Sequence, residues 1–172
     1  MKKKNIVLIG MPGAGKSTIG PLLAGKLKME YIDTDTIIKN KVNKNLGDLV
    51  KDIGHEKFLE IQESVVMELD IENHVIATGG SIVYNKKAME HLKTNGVIVY
   101  LKLELEEVKL RVNQARRFAR NEKQDFQDMY YERAPLYEKY ADITVNCSDK
   151  EINVIVTEIL NAINFQKFHK MD

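Results

Sequence analysis

At residues 6–9 an apolar run, IVLI, leads straight into Gly10-Met11-Pro12-Gly13-Ala14-Gly15-Lys16-Ser17, and this segment matches the G-x-x-x-x-G-K-[ST] pattern at every position. The setting carries more weight than the pattern. The Val/Ile-rich run before the loop reads as a buried strand, and Ile19, Leu22, Leu23 and Leu27 after it read as one face of an amphipathic helix. A loop so placed turns its backbone N–H groups and a helix N-terminus toward one point, where phosphate oxygens bind. Gly13 and Gly15, lacking Cβ atoms, permit the tight turns and close approach that a wrapped phosphate requires. Lys16 can set its ammonium against β and γ phosphates, and the Ser17 hydroxyl is a hard oxygen suited to Mg²⁺. A ligand-free glycine turn is the bland alternative, which the strand and helix on either side oppose. Pro21 is an oddity: in a helix interior it would cost about 3 kcal/mol, and only its closeness to the first turn accounts for it.

Further Val/Ile runs at 75–77, 97–101 and 143–145, with a weaker one at Tyr31-Ile32, alternate with helical stripes. Phe58, Ile61, Val65 and Leu69 share one such face; later ones follow Leu105, Val108 and Val112, then Phe126, Tyr130 and Tyr137, then Ile152, Ile159 and Ile163. This rhythm predicts an α/β fold with a parallel sheet between helix layers. A length of 172 residues with 44% hydrophobic composition suits one compact domain over 1–172. Residues 114–125 (QARRFARNEKQD) are almost wholly charged or amide-bearing and are expected to form a mobile lid, and residues 166–172 a frayed tail. With 26 Lys and Arg against 25 Asp and Glu, no global field draws in nucleic acid or an anionic membrane. The N-terminal apolar run is too short for a signal peptide or a span, so a cytoplasmic location is expected. Cys147 stands alone, and the four histidines have no metal-site spacing.

Asp33-Thr34-Asp35 follows the second strand and should reach the sheet's carboxyl edge beside the phosphate loop. If the segment is extended, both carboxylates face one side, one to orient a metal's water shell and the other to accept a hydroxyl proton. Alternatively Asp33 or Asp35 caps a helix beginning near Thr36. Thr78-Gly79-Gly80-Ser81 falls at the same edge, where its N–H groups could hold a carboxylate or hydroxyl. Arg111, Arg116, Arg117, Arg120 and Arg133 supply guanidinium groups of the kind that neutralise a transferring phosphoryl group. Arg133 shares a helical face with Phe126, Tyr130 and Tyr137, so its charge needs a partner, expected to be a ligand.

In order, GMPGAGKST, YIDTD, TGGS, the Arg-rich segment and Arg133-Ala134-Pro135-Leu136-Tyr137 ahead of Ala141-Asp142 resemble the shikimate kinase family over residues 5–163. The resemblance implies a three-layer P-loop kinase fold with a five-stranded parallel sheet. It implies that Gly13, Ala14, Gly15, Lys16, Ser17 and Thr18 contact ATP, joined by Arg111 and the lid residue Arg117. It places Ser17 on Mg²⁺ and Asp33 on the metal's water shell. Asp35 becomes the base, and Gly79, Gly80 and Arg133 bind the acceptor alongside it; Lys16, Asp35 and Arg117 form the catalytic set. The chain departs from the family pattern at Leu59, where an arginine that binds the acceptor's carboxylate is expected, at Ser81 in place of a third glycine, and at Arg116-Arg117-Phe118-Ala119 in the lid. Losing a charge-assisted contact at Leu59 should cost roughly 1.5–3 kcal/mol of acceptor binding. Phosphorylation of shikimate to shikimate 3-phosphate is thus the leading expectation, by a monomer. A kinase of another small polyol or hydroxy acid is the second, and a nucleotide-binding regulatory protein without turnover the third.

Overall fold

The computed structural model describes residues 5–112 and 125–169, the last four of these by backbone alone. Asn5–Ile9 forms β1, and Lys16–Leu27 forms α1. Glu30–Asp33 is β2, followed by α2 (Thr34–Val42), α3 (Leu46–Ile53) and α4 (His55–Met67). His74–Ala77 is β3; Gly80–Tyr84 is a 3₁₀ turn, and α5 (Lys86–Asn95) precedes β4 (Gly96–Lys102). The chain then runs through α6 (Leu105–Arg111), α7 (Phe126–Tyr140), β5 (Ile143–Asn146) and α8 (Ile152–His169). The five strands pair in parallel in the order β2-β3-β1-β4-β5.

Helices cover both faces of this sheet, so its central strand reads as a continuous apolar run and Val7, Leu8 and Ile9 have no exposed surface. Order reverses around β1, the strand that feeds the glycine loop, which sets that loop at the switch point where open α/β sheets bind ligands. A smaller apolar cluster of Ile38, Leu49, Phe58 and Val65 fastens α2, α3 and α4 together beside the main core. The weak strand at Tyr31-Ile32 is real, whereas α3, α5 and the 3₁₀ turn were not predicted. Among the described residues no helix is long and apolar enough to cross a membrane.

Three details differ from the periodicity. Leu22 is 46% exposed, because the buried face of α1 is Ile19, Gly20, Leu23 and Ala24, rotated toward the small residues that let neighbours approach. Leu69 lies beyond the end of α4, and Ile152 is 41% exposed at the start of α8. α8 continues to His169, into the stretch expected to fray. Pro21 is interior to α1, but both it and Ser17, whose carbonyl loses the helical bond, are exposed, so water replaces the missing donor.

Gly20 marks a close contact between α1 and β2. A Cβ there would stand 2.3 Å from Cε2 of Tyr31. Alanine would gain up to about 1 kcal/mol of helix propensity yet must displace a packed ring, so Gly20→Ala is expected to destabilise by about 1–2 kcal/mol net. Urea unfolding checks this; a midpoint at or above that of the unsubstituted protein would show that Tyr31 yields freely.

Candidate active site

The glycine loop is built as its sequence requires. Gly13 and Gly15 adopt φ values of 83° and 96°, in the left-handed region that disfavours a side chain. Lys16 is buried at the start of α1, and its Nζ donates to the carbonyls of Gly10 (2.7 Å) and Met11 (2.8 Å), bridging the loop it belongs to. Ser17 Oγ donates to Asp33 Oδ2 at 3.0 Å, which links the loop to the end of β2.

The structure resolves which of the two carboxylates caps the helix. The segment is not extended, since α2 begins at Thr34. Asp33 is the cap: its Oδ1 accepts from the backbone N–H of Asp35 (2.9 Å) and Thr36 (3.4 Å). Asp35, in the first turn, is thereby released from capping and turned into the cleft. Burial, followed by the charge of Asp33, pushes its carboxyl up to about 6, against a smaller downward pull from Lys16 and the Gln62 amide. Asp35 Oδ1 is buried with no hydrogen-bond partner among the described residues. An acceptor oxygen so placed is fitted to receive a donor from a ligand.

The Gly79-Gly80 turn closes against this group. A Cβ at Gly79 would stand 2.5 Å from both Asp35 Oδ1 and Gln62 Nε2, and one at Gly80 would stand 2.9 Å from Pro12 Cδ and 3.3 Å from an Arg133 nitrogen. Tyr137 Oη donates to the Gly80 carbonyl at 2.6 Å, and Gly79 N donates to Thr34 Oγ1 at 3.3 Å, so the turn is held from both sides. Arg133 is 1% exposed; its Nε donates to Tyr84 Oη at 3.2 Å and its guanidinium lies over the Tyr84 ring, 5.1 Å from the centroid. The partner expected to be a ligand is thus, in part, a tyrosine from the 3₁₀ turn.

Gly13, Gly15, Lys16, Ser17, Asp33, Asp35, Gln62, Gly79, Gly80 and Arg133 line one cleft of about 720 Å³, which also takes in Thr18, Lys39 and Arg111. Arg111 pairs with Glu107 one turn earlier on α6 and stands close to Gly13. Arg116, Arg117 and Arg120, with all but the last residue of the predicted lid, fall outside the described residues; that last residue, Asp125, caps α7. Leu59 is half-buried on α4 and does not reach the cleft, although Phe58 and Gln62 on that helix do. Asp142, part of a quoted motif, serves the sheet: its Oδ2 accepts from Ile98 N at 2.9 Å. Cys147 is fully buried, and burial pushes its thiol up to about 12.

Sequence reasoning missed Gln62, Tyr84 and Lys39. Gln62 follows Phe58 by one helical turn, a spacing that placed it on a buried face, and its Oε1 accepts from Ser81 Oγ at 2.8 Å. The departure at Ser81 therefore has a use: it orients the amide beside Asp35. Gln62→Glu would set a second carboxylate there and drive Asp35 higher, so the titration of the Asp35 carboxyl followed by NMR should move up from about 6 by roughly one unit. An unmoved titration would mean that residue 62 does not act on Asp35.

A family model described as shikimate kinase matches residues 12–164. A shikimate kinase of Vibrio vulnificus is 34% identical over 167 residues, covering 94% of this chain and 97% of its own. Among solved structures, shikimate kinase from Acinetobacter baumannii in complex with shikimate superposes with a TM-score of 0.87 at 29% identity, covering 95% of this chain and 94% of that one. Shikimate kinase from Aquifex aeolicus does so with a TM-score of 0.81 at 27% identity, covering 95% and 98%.

Proposed function

Because the chain belongs to the shikimate kinase family of ATP-dependent small-molecule kinases, we propose that it transfers the γ-phosphoryl group of ATP to the 3-hydroxyl of shikimate. The observation that carries this reading is Asp35: a buried carboxylate oxygen without a partner among the described residues, freed from capping by Asp33, in the same cleft as the glycine loop. Asp35 takes the proton of the acceptor hydroxyl as its oxygen attacks the γ-phosphorus, and the bond to the β,γ-bridging oxygen breaks to release ADP. Lys16 exchanges its bonds to Gly10 and Met11 for β and γ phosphate oxygens, while the N–H groups from Gly13 to Thr18 hold the phosphate chain. Ser17 and Asp33, hard oxygens 3.0 Å apart at the loop, suit Mg²⁺, which when bound supplies charge neutralisation on the phosphates. Arg111 adds a cation from α6, and Arg117 is assigned to ATP by the family pattern alone. Gly79, Gly80 and Arg133 bind the acceptor.

Purified protein should release ADP from Mg-ATP in a coupled assay, strongly stimulated by millimolar shikimate. A flat response, with ATP binding confirmed in the same sample, would move the acceptor to another small polyol or hydroxy acid. Leu59 is the residue that favours this second reading, since it brings no charge to the cleft.

A further inference from the structure

With no cation at Leu59, the acceptor half of the cleft has to hold an anionic acceptor by other means. Arg133 is one. Among the described residues, another cation that lines the cleft is Lys39, on α2. Asp35, Thr36 and Lys39 all line the cleft, and Asp35 and Lys39 are one helical turn apart, their Cβ atoms about 6 Å from each other. The register is not free to change: Ile38, with no exposed surface, flanks this stripe and anchors α2 in the cluster with Leu49, Phe58 and Val65. The stripe that carries Asp35 therefore also carries an ammonium group one turn further along the helix. Lys39 is exposed and forms no ion pair among the described residues.

We propose that Lys39 is the residue that recognises the acceptor's carboxylate in this chain, holding it while Asp35 faces the reacting hydroxyl one helical turn away. The proposal rests on the kinase reading above. Its span suits a small ring acid whose carboxylate and hydroxyl sit on nearby carbons, and excludes a neutral polyol as the preferred acceptor. A lysine at the mouth of a cleft is a hydrated point charge on a flexible stem, so its contribution should be smaller than that of a buried guanidinium fork and should fade with added salt.

The test is calorimetric titration of the full chain, and of Lys39→Met and Lys39→Arg, with shikimate and with shikimate methyl ester, alongside KM for shikimate and for ATP. Lys39→Met should weaken shikimate about tenfold, flatten the salt dependence of its binding and leave the ester within about twofold; Lys39→Arg should restore most of the loss. KM for ATP should follow neither change. Shikimate binding to Lys39→Met at the unsubstituted level, or equal losses for acid and ester, would overturn the proposal while leaving the kinase reading in place. If the unsubstituted protein bound no shikimate, the acceptor assignment would fall and Lys39 with it.

Discussion

Lys16→Ala should lower phosphoryl transfer by about 10³-fold or more while the protein stays folded. The rate effect follows from where charge develops: a cation aimed at the β and γ phosphates acts in a walled cleft with little water to replace it, and removal of one such preorganised group typically costs two to three orders of magnitude. The stability effect is moderate. In the free protein the ammonium bridges the buried carbonyls of Gly10 and Met11, and alanine removes that donor, so the loss is about 1–3 kcal/mol. A coupled assay together with a urea unfolding curve separates the two. Turnover above a tenth of the normal rate in a folded variant would take the glycine loop out of the mechanism.

Asp35→Asn should lower kcat by about 10²- to 10⁴-fold, keep ATP binding, and make the protein more stable at alkaline pH. Its carboxyl lies near 6 in the folded chain, above an ordinary aspartate value of 3.8, chiefly through burial. A raised carboxyl binds its proton more tightly folded than unfolded. The ionised form therefore opposes folding: the cost is absent below pH 4, grows between 4 and 6, and is complete above 6. A shift from 3.8 to about 6 corresponds to roughly 2–3 kcal/mol, which asparagine removes. Unfolding curves at pH 8 and pH 4 should show the gain at pH 8 alone. A variant that lost stability at pH 8 would show that Asp35 holds the fold. Near-normal turnover would show that it is not the base. Asp33 retains the helix cap in this variant, so the substitution isolates one carboxylate from the other.

The chemistry of Asp33-Thr34-Asp35 shows how far sequence reasoning reaches. Both aspartates were legible as candidates, and capping and catalysis were each on the list of roles. Which of them became the cap depended on whether α2 began at Thr34 or later, a shift of two residues that decides which carboxylate meets the free N–H groups. Arg133 was legible because a charge on an apolar helical face is costly, but Tyr84 was not, for it comes from a turn 49 residues away. Gln62 and Ser81 looked like a core residue and a departure from pattern until their 2.8 Å bond joined them beside Asp35.

The sequence by itself determined the parallel sheet, the glycine loop and the nucleotide end of the cleft. Those are contiguous features: a strand, eight consecutive loop residues and a helix start, whose function resides in backbone N–H groups and adjacent side chains. Asp35, Gly79, Gly80 and Arg133 were legible one by one as candidates for the acceptor end, but only the tertiary structure brought them together there. That end is assembled from α2, α4, the turn after β3 and α7, and its elements meet because the apolar cluster around Ile38 and Phe58 and the Tyr137–Gly80 bond bring distant segments together. No local pattern encodes that meeting, since burial of an apolar face depends on what packs against it rather than on what precedes it in the chain.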